Sequence, residues 1–291
     1  MLYTLQPVNH AQHKLLRMIT GLPLQILQQD ITAYLILSSD NLSQLLGAVL
    51  YQQQDNKLKC WLTILPQYRR LGLAKAVYHQ LATEKLNSLA NFTITPWDMI
   101  EEIPAREFLR SLDFSVKEEF DVFEADFAIV KQHAEKHFKR LIKRGSIPMA
   151  DISCAYGEEV DTAQAQQLLS ADFSASLNIR LGQIILTELL PHQVLFSLSY
   201  KNNMVGVGVG RFVETAFWTD AYVIAPAFRH GWAHLAIKHL SYERISQERP
   251  DIKTFQFITT EKLKDTNSYA RRLNAQHLGK NSYFEKNVNG G

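Results

Sequence analysis

The spacing of apolar residues divides the chain into two similar halves. In the first, Ala33–Ser38 and Leu46–Leu50 are apolar runs separated by a polar turn at Asp40 and Asn41. A second turn at Asp55 and Asn56 leads into Lys59–Leu65. In the second half Val194–Ser199, a turn at Lys201–Asn203, Val205–Val209 and Phe217–Ile224 repeat the layout. Runs of this length bounded by turn residues read as strands. Each third strand runs into a proline, an aromatic residue and an arginine, Pro66-Gln-Tyr68-Arg69 and Pro226-Ala-Phe228-Arg229. Apolar residues then recur at helical spacing, Leu73, Val77 and Leu81 in one half and Leu235, Ile237 and Leu240 in the other. Short β-rich runs follow at Asn91–Thr95 and Thr254–Thr260. Each half is therefore expected to be a three-strand meander, a helix, and a strand returning beside the third strand.

Between the halves, Val130, Ala134, Phe138 and Leu141 form an apolar stripe, with Lys131, Lys136, Lys139, Arg140, Lys143 and Arg144 around it and Gly145 and Pro148 as stops. A membrane-surface helix has this pattern too, but a packed connector with solvated charges is the preferred reading. The expected division is a domain over 1–128, a connector over 129–147 and a second domain over 148–291. Gly206, Gly208 and Gly210 resemble a nucleotide loop, but they alternate inside a strand and open no helix, so they read as strand glycines.

Composition narrows the classes. With 46% hydrophobic and 21% charged residues among 291, the chain has globular composition, and 31 basic against 29 acidic residues give no surplus that would imply nucleic acid. Two cysteines, Cys60 and Cys154, are too few for a disulfide framework or a thiolate zinc site. Met1–Gln6 lacks a signal-peptide pattern and no window reaches the ~20 apolar residues of a membrane span, so a cytoplasmic protein without a membrane partner is expected.

The candidate chemistry lies at Arg69-Arg70-Leu71-Gly72-Leu73-Ala74, between a strand and a helix start. First-turn N–H groups have no intrahelical partner and face whatever lies beyond the helix end. A diphosphate would accept those hydrogens, with the helix dipole adding attraction. Gly72 lets it approach, Ala74 keeps the next turn thin, and the arginines add charge.

These residues resemble the GNAT (N-acetyltransferase) superfamily, whose acyl-CoA signature Q/R-x-x-G-x-G/A follows a strand ending in proline; Arg69, Gly72 and Ala74 match it. The resemblance covers nearly the whole chain. It implies an α+β fold of two GNAT-like domains, each a mixed, mostly antiparallel sheet with flanking helices. The second copy reads Arg229-His-Gly231-Trp-Ala233, with Trp232 at the first glycine's position if no gap is allowed. Asn267 to Asn274, taken to end at Leu278-Gly279, resembles the family's fourth helix and keeps its asparagine but lacks its usual tyrosine. In the first half, Arg106 to Phe114 is the equivalent, with Asp113 in place of a glycine and Phe108 and Leu109 where a tyrosine would stand.

What the resemblance implies is acetyl-CoA-dependent N-acetylation of the amine of a small molecule. Acetyl-CoA would be held by Ile64, Leu65, Arg69, Arg70, Leu71, Gly72, Leu73, Ala74 and Lys75, with Arg229, Gly231 and Asn267 as counterparts in the second half. A backbone N–H near Ile64 and Leu65 would meet the oxyanion, and Asp220 and Tyr269 are the candidate base and acid. Glu214 is a further carboxylate. His79, His230, His234 and His239 have no metal spacing, and Tyr51, Tyr78, Tyr222, Trp61 and Trp218 read as packing groups, with Trp97 a candidate pocket wall. The rival expectation is a decayed scaffold that binds CoA or a protein without catalysis. The closing strands of both halves look short, so they are either reduced or shared.

Overall fold

A computed structural model describes residues 2–20, 27, 31–54, 57–83, 92–96, 103–172, 192–229, 231–260 and 264–288. Asp55, Asn56, Asn91, Trp97 and His230 lie outside them. The chain divides into two compact units, Met1–Glu119 with Asn281–Gly291, and Phe120–Lys280.

Unit 1 contains β1 (Tyr3–Pro7), α1 (His13–Thr20), β2 (Thr32–Ser38), β3 (Leu45–Gln54), β4 (Lys57–Ile64), α2 (Leu73–Leu81), β5 (Phe92–Pro96) and α3 (Ile103–Arg110). The start of β6 (Ser115–Asp126) and the end of β12 (Gln276–Val288) complete it. Its strand order is β1-β2-β3-β4-β5-β12. All neighbours are antiparallel except β4 and β5, which run parallel after the α2 crossover. The apolar stripe of α2 behaves as its spacing demands: Leu73 and Val77 are buried against Ile36, Leu46, Val49 and Ile64.

Unit 2 contains the rest of β6, then α4 (Phe127–Lys143), β7 (Ile152–Tyr156), α5 (Thr162–Asp172), β8 (Gln193–Tyr200), β9 (Asn203–Val213), β10 (Ala216–Ile224), α6 (Ala233–Glu248), β11 (Thr254–Thr259), α7 (Lys264–Arg272) and the start of β12. Its order is β6-β11-β10-β9-β8-β7, with β10 and β11 the parallel pair. The β8–β9 turn places Lys201 and Asn202 both at positive φ, the twist that a two-residue hairpin turn requires. The three strand glycines make room for side chains: a Cβ on Gly210 would lie 2.4 Å from the Phe217 ring, and one on Gly208 would lie 2.6 Å from Tyr222.

The closing strands are shared. β6 begins in unit 1, where the Ser115 hydroxyl donates to the Glu285 carbonyl at 3.1 Å, and ends in unit 2 paired with β11. β12 begins in unit 2, where His277 Nε2 lies 2.9 Å from Asp121, and ends in unit 1 paired with β5. By their contacts the two units part within both closing strands, after Glu119 and again after Lys280. The apolar stripe of the helix between the repeats is packed, with Phe127, Val130, Ala134 and Phe138 of α4 buried in the core of unit 2. Asp126 caps α4 by accepting from the Ile129 N–H at 3.1 Å. Gly145, at φ +64°, closes it with Gly145 N–H to Ile142 O and Ser146 N–H to Leu141 O. The buried stripe of α6 runs through Ala233, Ala236, Ile237, Ser241 and Ile245, while Leu235 and Leu240 are only half-buried.

Phe284 of β12 is fully buried in unit 1 among Leu58, Ile94, Leu112 and Phe114. Phe284→Ala should cost about 3–5 kcal/mol. Hydrogen exchange should show lost amide protection first in β2–β5; loss confined to β8–β11 would contradict the shared strand.

Candidate functional site

β4 and β5 pair only from Lys57↔Thr93 to Cys60↔Pro96, so among the described residues β4 loses that neighbour beyond Cys60. The Leu65 N–H donates to Leu46 O at 2.9 Å, which fixes the alternation along β4. Odd-numbered residues there bond to β3, and the Leu62 and Ile64 N–H groups face the parted side. The Ile64 carbonyl is met by Arg69, whose Nε donates to it at 3.0 Å. Unit 2 repeats the arrangement. β10 and β11 pair from Ala216↔Thr254 to Trp218↔Gln256, Ala225 N–H donates to Val205 O at 2.9 Å, and Arg229 Nε donates to Ile224 O at 3.3 Å. Arg69 and Arg229 thus do the same work, each holding a strand-end carbonyl that no neighbouring strand serves among the described residues.

The two loops then diverge. The chain from proline to helix start is equally long in both, which sets Trp232 opposite Gly72 without a gap. Gly72 is the N-cap of α2 at φ +76° and ψ −2°, no side chain caps it, and a Cβ there would meet nothing within 4 Å. Arg70 is also left-handed, at φ +65°, and Arg69, Arg70, Leu71, Gly72 and Lys75 are exposed while Leu73 is buried and Ala74 half-buried. Trp232 is instead right-handed at φ −70°, Gly231 does not use positive φ, and Arg229 is helical at ψ −38° where Arg69 is extended at ψ 158°. Trp232 packs edge-on against Tyr200 at 5.7 Å and Phe228 at 6.0 Å, so rings flank the start of α6. A groove of about 240 Å³ runs from Lys75 along α2 past Tyr78 and His79 to Asp113 and Lys286.

The remaining candidates fall in unit 2. Asp220 sits at a β-bulge between Thr219 and Ala221, its side chain 5% exposed and 3.7 Å from Arg211 Nε. Tyr269 is half-buried on α7 with Lys238 Nζ 4.4 Å over its ring, and burial pushes its hydroxyl up to about 12. Tyr222 bonds Ser241 at 3.0 Å. Asn267 Nδ2 donates to Thr260 O at 2.9 Å, joining α7 to the end of β11. The end of α7 corrects the expected register. Asn274 is left-handed at φ +50° and Ala275 N–H bonds Ala270 O, just as Asp113 at φ +63° lets Phe114 N–H bond Leu109 O. The helix ends at Leu273-Asn274-Ala275, matching Leu112-Asp113-Phe114, and Gly279 lies inside β12. Tyr269 is then the counterpart of Phe108, and both pack on their unit's core. Leu62, which the sequence reading passed over, was recoverable from strand alternation once one β4 hydrogen bond was known.

No protein-family model and no curated protein matches the sequence. Solved structures do match. A tandem GNAT protein from the clavulanic acid biosynthesis pathway is 11% identical over 98% of each chain, with a TM-score of 0.61. A probable N-acyltransferase of unknown function from Enterococcus faecalis is 12% identical over all of this chain and 74% of its own, with a TM-score of 0.58. A GCN5-related N-acetyltransferase from Kribbella flavida is 11% identical over 98% of this chain and 70% of its own, with a TM-score of 0.52. The chain has the tandem GNAT fold. No helix among the described residues is long and apolar enough to cross a membrane.

Burial pushes the thiols of Cys60 and Cys154 up to about 12 and about 11. Because the thiolate is the reactive form, neither should react with a disulfide reagent in the native protein at pH 8. Both should react once the chain is unfolded in guanidinium; fast native labelling of Cys60 would contradict its burial.

Proposed function

We propose that the chain is an acetyl-CoA-dependent N-acetyltransferase, with the acyl donor on unit 1 and a small-molecule amine as acceptor. The observation that carries the reading is the uncapped, left-handed Gly72 at the head of α2, open above its Cα, directly after a strand that among the described residues pairs with β5 only as far as Cys60. The N–H groups of Gly72, Leu73, Ala74 and Lys75 lack intrahelical partners and suit the oxygens of a diphosphate. Arg70 and Lys75 supply charge. Arg69 acts mainly as the brace on Ile64.

The bound donor supplies a thioester. An amine nitrogen forms its bond to the acyl carbon, the carbon–sulfur bond breaks, and the proton lost from nitrogen leaves with the thiol. Unit 1 contributes orientation and the Leu62 and Ile64 N–H groups, which face the side where a thioester carbonyl lying along β4 would develop charge. Leu65 lines the path, its own N–H being engaged by Leu46.

Unit 2 does not offer the same cradle, since Trp232 replaces the left-handed glycine and rings flank the helix start. In this reading Arg229, Gly231 and Asn267 shape that half without holding a second donor. Asp220 and Tyr269 stay with their partners Arg211 and Lys238. A non-catalytic CoA-binding scaffold is favoured by one observation: the described length of β4 carries no carboxylate.

Acetyl-CoA at a hundredfold excess over Kd should raise stability by about 2.7 kcal/mol, measured as a thermal shift. Gly72→Glu should remove the shift, Gly72→Asn, which tolerates the left-handed conformation, should keep most of it, and Gly231→Glu should leave it intact. Absence of any shift at millimolar acetyl-CoA would end the reading. Thiol release across an amine panel then separates the enzyme from the scaffold. Asp220→Asn and Tyr269→Phe should lower the melting temperature and leave the turnover number within about threefold, a change of roughly 0.7 kcal/mol in barrier.

A further inference from the structure

A second polar concavity lies in unit 2, along α4. A groove of about 600 Å³ is lined by Ile129, Gln132, His133, Glu135, Lys136, Lys139, Arg140 and Lys143. These positions follow the three- and four-residue spacing of one helix face. Its one carboxylate among the described residues, Glu135, is engaged by Lys139. On the flank facing α6, Lys131 is paired with Glu243 at 3.3 Å, with His239 beside it, so that flank is balanced.

The groove's cations continue onto two other helices. The His133 ring lies 5.7 Å from the Tyr269 ring of α7, and Lys238 of α6 stands over the other side of that contact, 4.4 Å from the same ring. His133 is held below its ordinary value by burial, then by His137, Arg272, Lys238 and Lys136. His137 is held down by burial, Arg140, Arg272 and Lys136. Lys238 is drawn down to about 8 by burial and Arg272. Every charged neighbour in these three sets is a cation. Arg140 and Lys143 are near the C-terminus of α4, where they offset the helix dipole. His133 and Lys136 are mid-helix, Lys238 and Arg272 come from elsewhere, and the dipole accounts for none of them.

We infer that the α4 groove of unit 2, from His133 to Lys143 and flanked by Lys238 and Arg272, binds a small multivalent phosphorylated molecule. Its volume falls in the range of small-molecule sites. Lys136, Lys139, Arg140 and Lys143 line this groove together, and arginine and lysine recognise phosphate oxygens by charge-assisted hydrogen bonds. An extended nucleic acid is disfavoured by a net charge of only +2. The groove's residues belong to unit 2 and the Gly72 loop to unit 1.

Isothermal titration with sodium tripolyphosphate tests this on the full chain. One groove site with a Kd below about 100 μM, weakening as salt rises from 50 to 200 mM because exposed charges are screened, is the expected result. The variant combining Lys136→Gln, Arg140→Gln and Lys143→Gln alters exposed residues only and should weaken binding at least about tenfold, or 1.4 kcal/mol, with the melting temperature lowered only by the small loss of the Arg140 and Lys143 charges at the helix C-terminus. Gly72→Glu should bind tripolyphosphate as the unmodified chain does, even if the acetyl-CoA reading fails. In the same titration followed by NMR, the His133 imidazole pKa should rise on saturation, because the anion favours the protonated ring. In the Gly72→Glu background, displacement by CoA would identify the cofactor's own phosphates as the source, and no displacement would point to a phosphorylated acceptor; either supports the groove. No binding at 5 mM, undiminished binding in the triple variant, loss in Gly72→Glu alone, or tighter binding of a single-stranded oligonucleotide would each overturn it.

Discussion

A strand that parts from its neighbour leaves a row of N–H and C=O groups that water or something else must satisfy. That constraint acts on both halves of this chain. Among the described residues β4 pairs with β5 only as far as Cys60, β10 leaves β11 after Trp218, and an arginine five residues past each strand end turns back to hold the last carbonyl. Everything that follows, the 3-10 turn after the proline, the direction of the next helix and the exposure of its first N–H groups, is hung on that bracket.

On this common frame the halves have taken different courses. The first keeps an open approach to a helix end, with two left-handed residues arching the backbone over it. The second fills the corresponding corner with Tyr200, Phe228 and Trp232. Its interior between β10 and α7 is packed by Tyr222, Tyr242 and Tyr269 rather than left as a channel. Buried rings contribute large apolar areas and well-defined contacts, so the exchange trades a ligand cavity for rigidity.

Much of this was legible from the residues. The meanders, the proline-aromatic-arginine corner and the Gly72 loop follow from period-two and period-3.6 patterns, which are local. Three features were not. The register of α7 was set too far along because Leu278-Gly279 resembles a helix end, whereas the chain uses Asn274, a residue that tolerates the left-handed turn almost as well as glycine. The closing strands could be seen to be short but not where their partners lay, since pairing between residues such as Thr254 and Asp126 is a long-range fact. The charges on α4 are as solvated as the pattern suggests, with Lys136, Lys139, Arg140, Lys143 and Arg144 exposed; what the sequence could not show is that Lys238 and Arg272 come near them through tertiary packing.

The exchange of closing strands also bears on how the protein is made. Residues 281–288 complete the sheet of the first unit, yet they emerge from the ribosome after almost the whole second unit. A nascent amino-terminal half must wait with the edge of β5 unpaired, the kind of exposed border that invites misassembly. Folding of the two units is therefore tied to one late event in synthesis, and neither half can be cut out as an independent fragment without leaving a sheet open.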